Sequence, residues 1–265
     1  MDHQQYIDAN RAAWNEAADV HRAHPQWQRL VEGFATPGFS TLEPVPTRRM
    51  KEVDLTGKTV YQLCCNNGRE VLSMMSLGAT RGVGFDQAGE FLAQGRELAT
   101  LAGLPAEFVE TSVYHIPAEY EGGADFIYIS IGAMVWLPDL PHFFHIAARL
   151  LKPGGHLYIY ESHPVIHMYE PGKDGAPPDL RYDYFDHTPQ RWADGCDYWS
   201  GKTYESKEMF CFQHTVGEVL GSILAAGLTL KAFAEFPEDI SNLFKTYQKD
   251  LGLRLPASME ILAQK

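Results

Sequence analysis

The chain has 265 residues, 45% of them apolar and 21% charged, with a net charge of -12. That length carries a sizeable buried core, and the acidic balance excludes nucleic acid or an anionic membrane as the default partner, since both reward basic surfaces. No apolar run approaches the ~18 residues of a membrane span, and the polar start MDHQQYIDAN is unlike a signal peptide, so the sequence reads as cytoplasmic. Cys64, Cys65, Cys196 and Cys211 form no CxxC pair and read as small hydrophobes. The cluster Arg48, Arg49, Lys51 reads as a solvated loop.

Residues 4–24 predict a helix, either packed on the core or acting as a lid through Tyr6, Asn10 and Trp14, spaced by four. Residues 34–48, with three prolines, read as an ordered loop leading to the core. From Val60 onward strand and helix alternate. Strands are expected at 59–64, 81–86, 108–110, 125–130 and 156–161, with helices at 69–77, 88–102 and 141–151. The third of these helices is expected to end on Lys152-Pro153-Gly154-Gly155, glycine supplying a left-handed turn and proline a stop. Such alternation predicts a parallel sheet with helices on both faces and ligands at the carboxyl ends of its strands.

After Glu161 the alternation stops. Residues 165–212 are rich in Tyr and Trp, including Tyr198 and Trp199, which marks an insertion over the sheet rather than a linker. It reads as a substrate cap, a local mini-core or a dimer surface. Residues 214–226 predict the last major helix, and 228–236 with 258–263 a closing strand pair. The expected organisation is one domain: a lid and loop over 1–50, a cofactor-binding core over 59–162, a cap over 165–212, and a closing helix and strands over 213–265.

Chemistry concentrates between Thr59 and Asp86. A short apolar run, the break Asn66-Asn67-Gly68, a helix, and a second apolar run ending in Asp86 describe a nucleotide-binding βαβ unit. Asp86 stands where a carboxylate accepts hydrogen bonds from a ribose diol. A dinucleotide fingerprint wants GxGxxG, whereas this turn offers Cys64, Asn66 and Gly68. A pyrophosphate needs backbone that only glycines expose, so the turn counts against NAD or FAD. S-adenosylmethionine, which has no pyrophosphate, tolerates larger residues there.

The segments VYQLCCNNG, GVGFD, FVETSVYHIP, DFIYISIGAMVWLPDL and LLKPGGHLYIYESHP together resemble the class I S-adenosylmethionine-dependent methyltransferases, most nearly a bacterial subgroup acting on small molecules. The resemblance covers about 6–162 and resumes at 212–236. It implies a Rossmann-like, seven-stranded, mostly parallel α/β sheet of order 3-2-1-4-5-7-6, strand seven antiparallel, with an N-terminal helical lid and an aromatic insertion after strand five. Carried onto this chain, it implies that Cys64, Asn66 and Gly68 form the turn under the methionine end and that Asp86 takes the ribose hydroxyls, with Gln87 beside it. Ser112 and Val113 fall at the adenine; Ser130, Ile131 and Gly132 form a shelf after strand four. Tyr6 and Trp14 are the lid contacts. Two departures stand out: Gln62 replaces the common acidic residue of strand one, and Ser112 replaces the usual Asp.

The implied reaction is methyl transfer to an O or N atom of a small, aromatic or heterocyclic metabolite. Histidine suits the base, because its ordinary pKa of about 6.5 lies near neutrality. His163 is the first choice and His214 the second, with His167 and Tyr114 further candidates; Tyr114, Trp136, His167, Tyr198 and Trp199 are expected to line the substrate pocket. Ser130 and Gly132 stand where metal-binding carboxylates would, so no metal is expected. The competing readings are a non-catalytic or regulatory S-adenosylmethionine-binding protein and an NAD(P)-dependent oxidoreductase. Monomer and homodimer both remain open.

Overall fold

The computed structural model describes residues 1–170, 178–197, 199–200, 202–241 and 255–265. Its elements are α1 (His3–Ala23), α2 (Pro25–Phe34), α3 (Pro44–Val53), β1 (Thr59–Leu63), α4 (Arg69–Ser76), β2 (Arg81–Asp86), α5 (Gly89–Ala102), β3 (Glu107–Glu110), β4 (Ala124–Ile129), α6 (Leu140–Leu150) and β5 (Leu151–Ser162). Two short strands follow, β6 (Tyr169–Glu170) and β7 (Asp179–Leu180), then the hairpin β8 (Gln190–Asp197) and β9 (Lys202–Cys211). The chain closes with α7 (Val216–Ala225), β10 (Thr229–Phe236) and β11 (Ser258–Gln264).

Val60, Tyr61, Gln62 and Leu63 are all solvent-inaccessible, as a strand covered by helices on both faces must be. β1 runs parallel to β2 and β4, and the seven-stranded sheet has the order β3-β2-β1-β4-β5-β11-β10. β11 pairs antiparallel with both β5 and β10. This is the expected α/β arrangement, with the single reversed strand where it was expected. Alternate side chains divide the core. Tyr61, Leu63, Phe85 and Ile127 pack with Phe143, Phe144, Val219 and Ile223 of α6 and α7. Val60, Phe126 and Tyr128 pack with Leu30, Met50, Leu72 and Leu92 of α2 to α5.

Three expectations need correction. The stretch 34–48 is not simply a loop: α2 ends at Phe34 and α3 begins at Pro44. Pro25 and Pro44 stand at the starts of these helices, where a missing N–H costs nothing, so these prolines open helices. Second, α6 passes at Leu151 directly into β5, and Gly154 (φ 79°) turns within the strand rather than capping the helix. Lys152 precedes a proline and is thereby pushed toward extended backbone. Third, Arg48, Arg49 and Lys51 lie on α3, not on a solvated loop, and the two arginines are paired. Both pair with the buried Glu260, at 3.3 and 2.7 Å, and the Tyr158 hydroxyl donates to the same carboxylate at 3.1 Å. Among the described residues no helix is long and apolar enough to cross a membrane.

Candidate cofactor and acceptor site

The turn between β1 and α4 is built from three left-handed residues, Cys64 (φ 56°), Asn66 (φ 52°) and Gly68 (φ 65°). Glycine adopts this conformation freely and Asn tolerates it; Cys does so at a cost of about 1 kcal/mol or more. The turn holds because its amides are spoken for. Cys65 N–H donates to the Phe85 carbonyl at 3.0 Å, Gly68 N–H to the Cys65 carbonyl at 2.8 Å, and Asn66 N–H to Asp86 Oδ2 at 2.7 Å. Asp86 Oδ1 accepts from Ala88 N–H at 2.9 Å. Asp86 therefore locks the turn to the end of β2 and still has lone pairs for a ligand. Burial raises its pKa, and the N–H donors of Ala88, Asn66 and Gln87 pull it back. Gln87 is half-buried beside it.

Beyond β3, Ser112 is half-buried and Val113 buried. Ser112 Oγ accepts from Tyr114 N–H at 3.3 Å, closing a local turn. The Tyr114 hydroxyl both donates to the Asp139 carbonyl (3.2 Å) and accepts from its N–H (3.0 Å). It is a brace between two loops, and burial pushes its phenol well above the ordinary value.

After β4, Ser130 Oγ accepts from Gln62 Nε2 at 2.9 Å, and the same nitrogen lies 3.3 Å from Glu70 Oε2. Gln62 Oε1 is buried with no hydrogen-bond partner among the described residues. Ile131 and Gly132 (φ 81°) complete the shelf. Glu161, at the end of β5, reaches under it and accepts from the N–H groups of Gly132, Ala133 (2.8 Å), Met134 (3.2 Å) and Ser162 (2.8 Å). Burial pushes its carboxyl up to about 7 against the pull of these donors.

α1 lies over this region. Trp14 meets Trp136 edge-on at 5.3 Å and Phe91 at 5.9 Å, and Tyr6 meets Phe210 and Phe212 at 4.9 and 5.4 Å. Trp199 stands farther back, against His21 (4.9 Å) and His24 (5.3 Å) at the α1–α2 corner. Tyr198 lies outside the described residues.

The histidines divide sharply. His163 Nδ1 accepts from Val165 N–H at 3.1 Å and Nε2 donates to Glu235 at 2.9 Å, so both nitrogens of the first-choice base are committed. It caps a turn rather than facing an acceptor. His214 Nε2 donates to the Leu137 carbonyl at 2.8 Å, and the residue borders a groove of about 560 Å³ with Asp139 and Glu218. His167 differs. It is half-buried, its ring has no hydrogen-bond partner among the described residues, and burial beside His163 and His214 lowers its pKa to about 4. All three belong to one seam: Phe212 N–H donates to the Val135 carbonyl, Gln213 to the Pro164 carbonyl, and His214 to that of Leu137, stitching the loop after β4 to the turn after β5.

Residues 60–155 match a family model described as a methyltransferase domain. A solved S-adenosylmethionine-dependent methyltransferase from Mesorhizobium loti is 20% identical, covers 83% of this chain and 96% of its own, and superposes with a TM-score of 0.58. The fold is that of the class I S-adenosylmethionine-dependent methyltransferases. Geranyl diphosphate C-methyltransferase from Streptomyces coelicolor A3(2) shares this methyltransferase fold at 13% identity and TM-score 0.57, over 84% of this chain and 79% of its own. The [4+2]-cyclase SpnF shares it at 15% identity and TM-score 0.54, over 87% and 84%. No curated protein is significantly similar in sequence.

The chemistry of the donor set fits the cofactor of this methyltransferase fold. S-adenosylmethionine presents a ribose diol, an adenine amino group and an α-ammonium, all hydrogen-bond donors. The site supplies acceptors: the open lone pairs of Asp86, Ser112 Oγ, and the unpartnered Gln62 Oε1. Sequence reasoning missed Glu161 as the holder of the shelf, and it named Asn10 as a lid residue without its partner, because the partners of both are backbone groups. Glu161 carried one signal, a carboxylate placed directly after the apolar run Leu157–Tyr160.

Proposed function

We propose that the protein is an S-adenosylmethionine-dependent methyltransferase acting on an O or N atom of a small, aromatic or heterocyclic metabolite, and that lid, core and cap work as a single domain. The observation that carries this reading is the left-handed turn at Cys64, Asn66 and Gly68 locked to Asp86 at the end of β2. The cofactor, when bound, supplies a methyl group on a sulfonium, which brings its own leaving group. What remains for the chain is alignment and exclusion of water. In this reading Asp86 and Gln87 hold the ribose, Ser112 and Val113 the adenine, and Gln62 Oε1 with the Ser130–Gly132 shelf the methionine end. Tyr6, Trp14 and Trp136 close the site.

His167 takes the role first expected of His163. A neutral imidazole with low proton affinity is a poor free base but a good hydrogen-bond acceptor. It orients an acceptor's O–H or N–H so that the lone pair faces the methyl carbon, and receives the proton as the new bond makes that hydrogen acidic.

The deciding experiment is calorimetric titration with S-adenosylhomocysteine, in parallel with NADH and with Asp86→Ala. Micromolar binding that the variant weakens about 10- to 100-fold supports the reading; binding of NADH instead would replace it by an oxidoreductase. A cofactor-binding protein without transferase activity is the second reading. Gln62 in place of an acid favours it, as does the shared fold of a protein named as a cyclase. Binding without turnover across O and N acceptors would select it.

A further inference from the structure

Glu161 is almost wholly buried, and the partners that hold its carboxylate are backbone N–H groups. Three of them belong to consecutive residues of the shelf. Gly132 adopts φ 81°, a conformation that turns the chain so that the amides of Gly132, Ala133 and Met134 converge on one side. The short 3₁₀ turn Met134–Trp136 follows at once, and its last residue is the tryptophan that meets Trp14 of the lid. The loop therefore has the cofactor shelf at one end and the lid contact at the other, with Glu161 beneath both.

We propose that Glu161 is the positioning residue of this site: its carboxylate gathers the amides after β4 into one turn and so sets both the Ser130–Gly132 shelf and the Trp136–Trp14 closure. Only an ionised carboxylate does this fully, since all of its lone pairs accept. Protonation makes one oxygen a donor and turns it against an N–H. Burial holds the carboxyl up to about 7, so the change falls near neutrality. The other titratable groups coupled to it are the Cys64 thiol on the turn and the Tyr128 phenol on β4, both themselves pushed up by burial and uncharged at neutrality; Asp86 also acts on Cys64. None is a cation that would stabilise the charged form. The amides alone do so.

The effect on cofactor binding rests on the methyltransferase reading; the hold on the shelf does not. The test therefore has two arms. Hydrogen exchange at Gly132, Ala133 and Met134 is followed in the ligand-free protein at pH 6 and pH 8.5, corrected for intrinsic exchange, for wild type, Glu161→Gln and Glu161→Asp. S-adenosylhomocysteine affinity is measured on the same samples. For an opening that frees these three amides while Glu161 stays buried, wild type should protect them about tenfold more at pH 8.5 than at pH 6, the size expected for losing a charge-assisted bond; global unfolding, which exposes the carboxylate, has the opposite pH sign. Glu161→Gln should expose them at both pH values and bind about tenfold more weakly, without pH dependence. Glu161→Asp, which keeps the charge, should restore the pH dependence at reduced affinity. Wild-type protection and pH profile in Glu161→Gln would overturn the proposal. If the Gln variant does not fold, the wild-type pH series decides, and uniform protection across it overturns the proposal. Glu161-dependent protection in a protein that binds no S-adenosylhomocysteine would retain the positioning role and sink the cofactor reading alone.

Discussion

Asn10 of α1 and Phe210 of β9, two hundred residues apart, hold each other as two paired strands would. The Asn10 Nδ2 donates to the Phe210 carbonyl at 2.9 Å, and the Phe210 N–H donates to Asn10 Oδ1 at 2.7 Å. Both groups are buried. The amide side chain thus imitates a peptide unit and continues the edge of the β8–β9 hairpin onto the helix. Glu16 adds a second tie, accepting from Lys207 N–H at 2.8 Å. The aromatic insertion is in this way the clamp that fastens the N-terminal helix over the site.

Asn10→Ala leaves a buried N–H and a buried carbonyl of Phe210 unpaired, at about 1–3 kcal/mol each. The expected result is a stability loss of about 2 kcal/mol in urea unfolding, with red-shifted tryptophan emission as Trp14 and Trp136 become wetter. Asn10→Asp should be at least as damaging, because it sets a carboxylate against the Phe210 carbonyl. Unchanged emission in both variants would mean that the lid is held elsewhere.

Cys64 pays for its left-handed backbone, and the remedy separates strain from packing. Cys64→Gly removes the strain but also the thiol that packs against the α6–α7 core; Cys64→Ala removes the thiol and keeps the strain. Gly should therefore be more stable than Ala by about 1 kcal/mol, the reverse of the order in ordinary extended or helical backbone. Thermal unfolding of the pair reads the sign directly.

His163 and His167, four residues apart, should fail in different ways. His163→Ala removes the acceptor for Val165 N–H and the partner of Glu235, so it should lower stability by about 1–2 kcal/mol. His167→Ala should leave stability and S-adenosylhomocysteine binding near wild type, and lower turnover about 10²- to 10⁴-fold once an acceptor is in hand. Equal loss of turnover in both variants would point to a shared structural effect.

The sheet was legible because its signals are local. Val60 to Leu63, the break at Asn66–Gly68 and the run ending in Asp86 declare strand, turn and strand within one window, and they recur down the chain. α3 was not legible, because Pro44 and Pro46 read as punctuation although both lie in its first turn, and α2 opens on Pro25 in the same way. The turn itself showed as the break after the first strand, and the family resemblance, not spacing, implied the role of Cys64, Asn66 and Gly68. The partner of His163 was hidden for a different reason: its residue type and position suit a base, and nothing nearby announces Glu235, 72 residues on. Long-range pairing and backbone partners leave no periodic trace.

A longer separation lies between Arg49 and Glu260, 211 residues apart. The carboxylate is 2% exposed and the Arg49 side chain 18%, so the pair is shielded from solvent. Removing one partner of such a pair strands a buried charge, at about 3–5 kcal/mol. Arg49→Ala should fall at the lower end, about 3 kcal/mol, because Arg48 still faces Glu260. Glu260→Gln in the Arg49→Ala background should recover much of that loss, since it removes the stranded charge. Double-mutant urea unfolding gives both values.

His21 gives the sharpest pH prediction. Its ring is wholly buried between Phe91 and Trp199, and desolvation lowers its pKa from 6.5 to about 4, against the upward pull of Asp197. Between these values the unfolded chain binds a proton that the folded chain refuses, so the stability due to neutral His21 is present above pH 6.5 and is lost as pH falls toward 4. At 1.36 kcal/mol per unit this is about 3 kcal/mol. Glu161 has the opposite sign: its carboxyl, raised from 4.5 to about 7, favours the folded state below 4.5 and loses that contribution as pH rises through 7. Over most of the acid range the two slopes therefore oppose each other with similar size. The stability of wild type minus that of His21→Gln should shrink by about 3 kcal/mol from pH 7 to pH 4, and the variant should show the Glu161 slope less masked, gaining relative stability on acidification. A constant difference between the two proteins across that range would mean that the buried imidazole takes up its proton as readily in the folded protein as in the unfolded chain.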